Sequence, residues 1–310
     1  MHDLLILSRH AADYQRLIDA ARLPQLRLIA SSDPHVAAAD RFEIVLGEPS
    51  LVRSALPRLT GMQWVHSTWA GVEPLLDPSL RRDYILTNAR GVFGPQMSEY
   101  VFGYMIARER LMFEKYAAQQ AGRWDPTPPG ALRGKQIGLL GVGSIGAALA
   151  ATAKHFGMRV KGYTRGSEGC ADVDAYFHGD DRIAFANDLD YLVSVMPNTA
   201  GTRRLVDAVL LAALPPRAVF INPGRGSVVD ERALADALQS GRLAGAVLDV
   251  FEQEPLPADH VFWRTPNVLI TSHTAALSVP EDIAPVFVDN YRRWTAGEPL
   301  RYQVDFEAGY

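Results

Sequence analysis

A chain of 310 residues, 48% of them hydrophobic, is long enough for two folded domains, each with its own core. The formal net charge of −4 carries no basic bias that would favour a nucleic-acid partner, and no apolar stretch approaches the ~20 residues needed to span a membrane. The single cysteine, Cys170, can form no internal disulfide and has no partners at metal-ligand spacing, so neither a disulfide framework nor a metal site is expected.

Residues 1–8 hold one short apolar run without a basic flank, which reads as a first strand rather than a signal peptide and points to a cytoplasmic protein. Further short apolar runs follow at 26–30, 44–46, 64–67 and 84–87, with helix-compatible segments such as 11–22 between several of them. Strands alternating with helices predict a parallel sheet covered on both faces. One long helix, 96–120, is expected next, and prolines at 126, 128 and 129 break it before the following strand.

The run Gln136-Ile137-Gly138-Leu139-Leu140 reads as a buried strand. It enters Gly141-Val142-Gly143-Ser144-Ile145-Gly146, then an alanine-rich helix over 147–156, then a new apolar strand over 158–163. That strand–turn–helix–strand context gives a G-x-G-x-x-G its meaning as a dinucleotide fingerprint. Gly141 serves the tight turn, Gly143 the close approach of a pyrophosphate, and Gly146 the packing of helix on strand. The helix start offers unpaired N–H groups to phosphate. More strands are expected near 191, 218, 246 and 268. The last helix, 280–296, and the tail, 301–306, have no strand partner in this second unit and are expected to return to the first. The expected division is 1–98 plus 276–310 for one domain and 99–275 for the other.

Three polar residues stand at predicted strand ends. Arg225 lies in Ile221-Asn222-Pro223-Gly224-Arg225-Gly226, Glu254 in Asp249-Val250-Phe251-Glu252-Gln253-Glu254-Pro255-Leu256-Pro257, and His273 in Leu269-Ile270-Thr271-Ser272-His273. The carboxyl ends of parallel strands share one edge, where ligands bind. A guanidinium can grip a carboxylate through two parallel hydrogen bonds. An imidazole can give a proton to a carbonyl oxygen, and a carboxylate beside it favours the protonated ring. Together they are the parts needed to reduce a carbonyl next to a carboxylate.

These motifs, in this order, closely resemble the D-isomer-specific 2-hydroxyacid dehydrogenase family over essentially the whole chain. The segment Asn88-Ala89-Arg90-Gly91-Val92-Phe93-Gly94-Pro95-Gln96-Met97-Ser98-Glu99-Tyr100 is most similar to its glyoxylate/hydroxypyruvate reductase branch. The resemblance implies an α/β protein of two doubly wound parallel-sheet domains, a flavodoxin-like substrate domain and a Rossmann nucleotide domain, with a cleft between. It implies catalytic roles for Arg225, Glu254 and His273, reduction of a small 2-oxo acid to the D-2-hydroxy acid, and a homodimer. Ser272 departs from the family, which usually has proline there, and so lacks the φ restraint a proline would add.

Trp69-Ala70-Gly71-Val72 matches the family turn whose N–H groups receive the substrate carboxylate. Trp69 then either shapes the pocket or is a buried core tryptophan. Asp249 either sits near the nicotinamide carboxamide, as the resemblance implies, or caps a turn at a strand end. Met196, Pro197, Thr202 and Pro223 complete the expected cofactor-binding set. Cofactor choice is read at the end of the strand after the glycine loop, where Thr164, Arg165 and Ser167 stand and an acid would mark NAD(H). Arg165 favours NADP(H), although Glu168 is close by. Within the family a phosphoglycerate dehydrogenase would need extra cations and commonly a regulatory extension past Tyr310. A nucleotide-sensing corepressor could keep the same residues.

Overall fold

The computed structural model describes residues 1–36 and 41–310. Short runs of apolar residues buried on both faces are what a parallel sheet between two helix layers requires, and they form here. Strands β1 (His2–Leu7), β2 (Leu26–Ser31), β3 (Ile44–Gly47), β4 (Trp64–Ser67) and β5 (Ile85–Thr87) make an all-parallel sheet in the order β2-β1-β3-β4-β5. That is the flavodoxin-like winding. Helices α1 (Ala11–Ala20) and α2 (Pro49–Ala55) belong to this unit.

The second unit opens with α3 (Gly94–Glu109) and α4 (Met112–Gln120) rather than with one long helix. The break falls at Leu111, which takes a left-handed φ of +54° that no continuous helix tolerates. Then come β6 (Gln136–Leu140), α5 (Ser144–His155), β7 (Arg159–Tyr163), β8 (Ala175–Phe177), α6 (Arg182–Ala186) and β9 (Tyr191–Ser194). The unit continues through α7 (Ala208–Ala213), β10 (Val219–Asn222), α8 (Glu231–Gln239), β11 (Gly245–Leu248) and β12 (Val268–Ile270). The seven strands are parallel in the order β12-β11-β10-β9-β6-β7-β8, with β6 and β9 adjacent where the winding reverses. Such a switch point is the usual ligand position in an open sheet. Edge strand β8 was not anticipated; three residues are too few to show a period.

The chain then leaves this unit. Helix α9 (Pro280–Ala296) lays Phe287 against Trp64 of β4, ring centroids 5.2 Å apart, with Trp294 stacked at 5.7 Å. The tail follows, Val304 N–H donating to Leu86 O at 2.8 Å. The first unit is therefore Met1–Val92 with Ser278–Tyr310, and the second is Phe93–Leu277. The first boundary falls before α3 rather than inside it because that helix packs on α5 from its start: a Cβ on Gly94 would lie 2.7 Å from the Ala148 side chain. No helix among the described residues is long and apolar enough to cross a membrane.

Candidate active site

Neighbouring strands β10, β11 and β12 deliver Arg225, Glu254 and His273 to the same edge of the sheet. His273 is exposed, and its Nδ1 donates to Glu254 Oε2 at 2.8 Å. The other carboxylate oxygen of Glu254 accepts the Phe251 N–H at 2.9 Å, which closes the loop on itself and fixes the acid. Glu252, two residues earlier, is used elsewhere: it pairs with Arg203 at 2.5 Å and Arg204 at 3.7 Å.

The histidine takes a φ of +56°, which costs an L-residue on the order of 1–2 kcal/mol. Asp249 supplies the compensation. Its carbonyl accepts the His273 N–H at 2.8 Å. Its buried carboxylate accepts Thr274 N–H at 2.9 Å, Ala275 N–H at 3.0 Å and the Thr271 hydroxyl at 2.5 Å. Because the Thr271 proton goes to Asp249, Tyr100 must be the donor in its 2.8 Å contact with Thr271. Burial pushes the Tyr100 hydroxyl above its ordinary range, so it keeps that proton. Asp249 thus acts as a turn fastener for the histidine.

Arg225 is half-buried on a turn held by buried Asn222, whose Nδ2 donates to Arg225 O at 3.0 Å and whose Oδ1 accepts from Gly224 N–H at 3.2 Å. The guanidinium donates to Gly224 O at 2.8 Å. The flanking glycines are steric necessities. A Cβ on Gly224 would lie 2.8 Å from Ser194 O, and one on Gly226 only 1.9 Å from the Phe251 carbonyl carbon. Backbone therefore packs directly on backbone between the arginine loop and the glutamate loop. Pro223 is buried in the same turn.

On the β6 side, Gly141 has φ +95° and Gly146 approaches so closely that a Cβ would lie 2.2 Å from Gly141 O. Gly143 caps α5, its carbonyl accepting Ala147 N–H at 2.8 Å. Gly143 and Ser144 are exposed and Ile145 partly so, at a helix start where the first N–H groups have no partner within the helix. Such a cradle fits a pyrophosphate. Met196 is buried beside Gly141, its Cγ 3.4 Å from where a Cβ would stand. Thr202 donates to Pro197 O at 2.7 Å and accepts from Thr199 N–H at 3.0 Å, so its hydroxyl closes this turn.

After β7, Thr164 is buried with its hydroxyl donating to Ser167 O at 2.8 Å, while Arg165 and Ser167 are exposed. Glu168 is engaged by His178 at 2.8 Å. In the first unit, Trp69 is 36% exposed, so it is no core tryptophan. Its turn is closed by Ser67, whose Oγ accepts Trp69 N–H at 3.0 Å, and by Asn88, which donates to Ala70 O at 2.8 Å. Gly71 follows half-buried. Trp64 and His66, by contrast, are wholly buried.

Among the described residues, no group of three or more His, Cys, Asp or Glu side chains is placed to hold a metal ion. Residue signals missed in the sequence were Asn222, Tyr100, Thr271 and His178. Asn222 lay inside the arginine motif and could have been found there.

Comparison with known proteins places the whole chain in a family. Residues 102–275, more than half the chain, match the family described as D-isomer specific 2-hydroxyacid dehydrogenase, NAD binding domain. The chain is 33% identical over 298 residues to glyoxylate/hydroxypyruvate reductase A of Serratia proteamaculans, covering 93% of each. A crystal structure of a D-isomer specific 2-hydroxyacid dehydrogenase family protein from Aeromonas salmonicida superposes with a TM-score of 0.93 at 41% identity, over 98% of this chain and 99% of that one. A second, from Xanthobacter autotrophicus in complex with NADPH and MES, gives 0.90 at 33% identity over 100% and 99%. This chain belongs to the D-isomer-specific 2-hydroxyacid dehydrogenase family.

Proposed function

We propose that this protein reduces a small 2-oxo acid of the glyoxylate or hydroxypyruvate kind to the D-2-hydroxy acid, with NADPH preferred over NADH. The observation that carries this reading is the His273 Nδ1–Glu254 hydrogen bond of 2.8 Å, which commits one ring nitrogen and leaves Nε2 to work on substrate. When bound, the reduced nicotinamide supplies the hydride. His273 gives its Nε2 proton to the carbonyl oxygen as the carbon is reduced. Glu254, accepting from Nδ1, fixes the orientation of the ring for that transfer. Arg225 grips the substrate carboxylate and polarises the adjacent carbonyl. In the first unit, the N–H groups of Ala70 and Gly71, in the Trp69 turn, are a further proposed anchor for a carboxylate.

Residues 93–277 are the proposed nucleotide-binding domain, with Gly141, Gly143, Ser144, Ile145 and Gly146 on the pyrophosphate. Arg165 and Ser167 take the adenosine 2′-phosphate, with Thr164 holding the turn behind them, while Met196, Pro197, Thr202 and Pro223 line the rest of the cofactor. The NADPH complex of the Xanthobacter relative supports the choice of cofactor. A homodimer is proposed from the exposed apolar side chains Met112, Phe113, Tyr116 and Trp124 on α4 and just after it. Sedimentation equilibrium reads that directly, and a monomer at every concentration would overturn it.

The test of the activity is a panel of 2-oxo acids mixed with each reduced cofactor and followed at the nicotinamide absorbance band. NADPH oxidation with glyoxylate or hydroxypyruvate is expected. No oxidation of either cofactor by any member would overturn the reading.

A further inference from the structure

We propose that His178 is a specificity-determining residue for the cofactor. By clasping Glu168 and Thr164 it neutralises an acid beside the 2′-phosphate position and fixes the turn that reads it. The inference rests on the NADPH reading given above.

The turn after β7 presents Arg165 and Ser167 to solvent, but Glu168 stands in the same exposed stretch. A bare carboxylate there would repel a phosphate dianion and favour NADH. Strand β8 answers this. Its register sets Phe177 against Tyr163, and Thr164 N–H donates to Phe177 O at 3.1 Å, so the next residue, His178, lands beside Thr164. The imidazole then meets three oxygens. Nδ1 lies 3.0 Å from Thr164 O and 3.1 Å from Thr164 Oγ1, and Nε2 lies 2.8 Å from Glu168 Oε1. Every one of them is an acceptor, because the Thr164 hydroxyl has already given its proton to Ser167 O. Two ring nitrogens facing only acceptors are both satisfied in one form, the imidazolium. The ring plane is within 10° of that of Tyr176.

The surrounding charges agree. The Glu168 hydrogen bond, then the Thr164 carbonyl, hold the His178 imidazole above its ordinary range, with Asp181 adding to the effect and burial opposing it. As pH rises through that range, the ring loses a proton, one arm of the clasp opens, and Glu168 regains an uncompensated charge. NADPH binding should therefore weaken with rising pH while NADH binding does not follow. The 2′-phosphate has its second ionisation near ~6 and stays a dianion above neutrality. NADPH and NADH differ only at the 2′ position, so the ratio of their affinities isolates what acts there.

The experiment measures dissociation constants of NADPH and NADH for the intact protein from about pH 7 to about pH 9.5, in the wild type, His178→Gln and Glu168→Gln. The wild-type preference for NADPH should fall about three- to tenfold across that range. His178→Gln should show a low, flat preference, and Glu168→Gln a high, flat one, since no acid remains to be neutralised. A pH-independent wild-type preference for NADPH, or an unchanged slope in His178→Gln, would overturn the role of His178. Wild-type preference for NADH at every pH, with no response to Arg165→Ala, would overturn the cofactor reading beneath it.

Discussion

At the scale of single residues, the proposed chemistry concentrates on His273. His273→Asn should lower turnover by at least ~100-fold, the usual worth of a general acid, while leaving the dissociation constant for NADPH nearly unchanged. Near wild-type turnover would rule the acid out. Glu254→Gln keeps the shape of the loop but removes the carboxylate that accepts from His273 Nδ1, so turnover should fall while the dissociation constant for NADPH stays nearly unchanged. Wild-type turnover in that variant would separate the two residues. Tyr100→Phe removes one neutral hydrogen bond from the fastener under the histidine, and such a bond contributes about 0.5–1.5 kcal/mol. Turnover should drop by a few-fold with little effect on KM for the cofactor. Local motifs singled out His273, Glu254 and Arg225, and their strands are neighbours in the sheet. Tyr100 was invisible because it reaches Thr271 from α3, across a separation no local pattern records. His178 was hidden for the same reason, as it meets the 164–168 turn only through strand pairing.

Elements show where one residue decides how two segments meet. A methyl group at Gly226 would sit 1.9 Å from the Phe251 carbonyl carbon, inside any tolerable contact. Gly226→Ala should therefore push the arginine loop off the glutamate loop, and both activity and thermal stability should fall. Gly103 makes the control. It lies within α3, and a Cβ there meets nothing within 4 Å. Gly103→Ala should stabilise by up to ~1 kcal/mol, the helix-propensity difference, with activity unchanged. Both outcomes are read from melting curves beside a standard assay. Periodicity and strand-end glycines revealed most strands and the α5 turn, because burial on two faces leaves an unmistakable apolar run. The helix break was not legible. Nothing in Glu109-Arg110-Leu111-Met112 disfavours helix, and the left-handed Leu111 is set by the surroundings rather than by its own propensity.

For the molecule as a whole, His66 sets an acid limit. Burial alone holds its imidazole down to about 3, against 6.5 in an open chain. The folded state therefore binds fewer protons than the unfolded one between those values, and stability must fall as pH drops through that window. The slope can reach about 1.4 kcal/mol per pH unit for one such group. Carboxyls held low by donors, such as Asp83 by Arg81 and Asp305 by the N–H groups of Ala308 and Glu307, act only around and below 3.8. Denaturant titrations between about pH 4 and about pH 6.5 should show the decline in the wild type and a flatter line in His66→Leu. Equal slopes would show that the imidazole is reached by water.

The return of α9 to the first unit also orders events in time. The indole of Trp64 is covered by Phe287 and Trp294, which leave the ribosome only after all of residues 93–277. During synthesis, one face of the first sheet must therefore wait uncovered while the second unit, continuous in sequence, can complete itself. A chain truncated just past residue 277 and released should hold a protease-resistant second unit beside a first unit that binds chaperones.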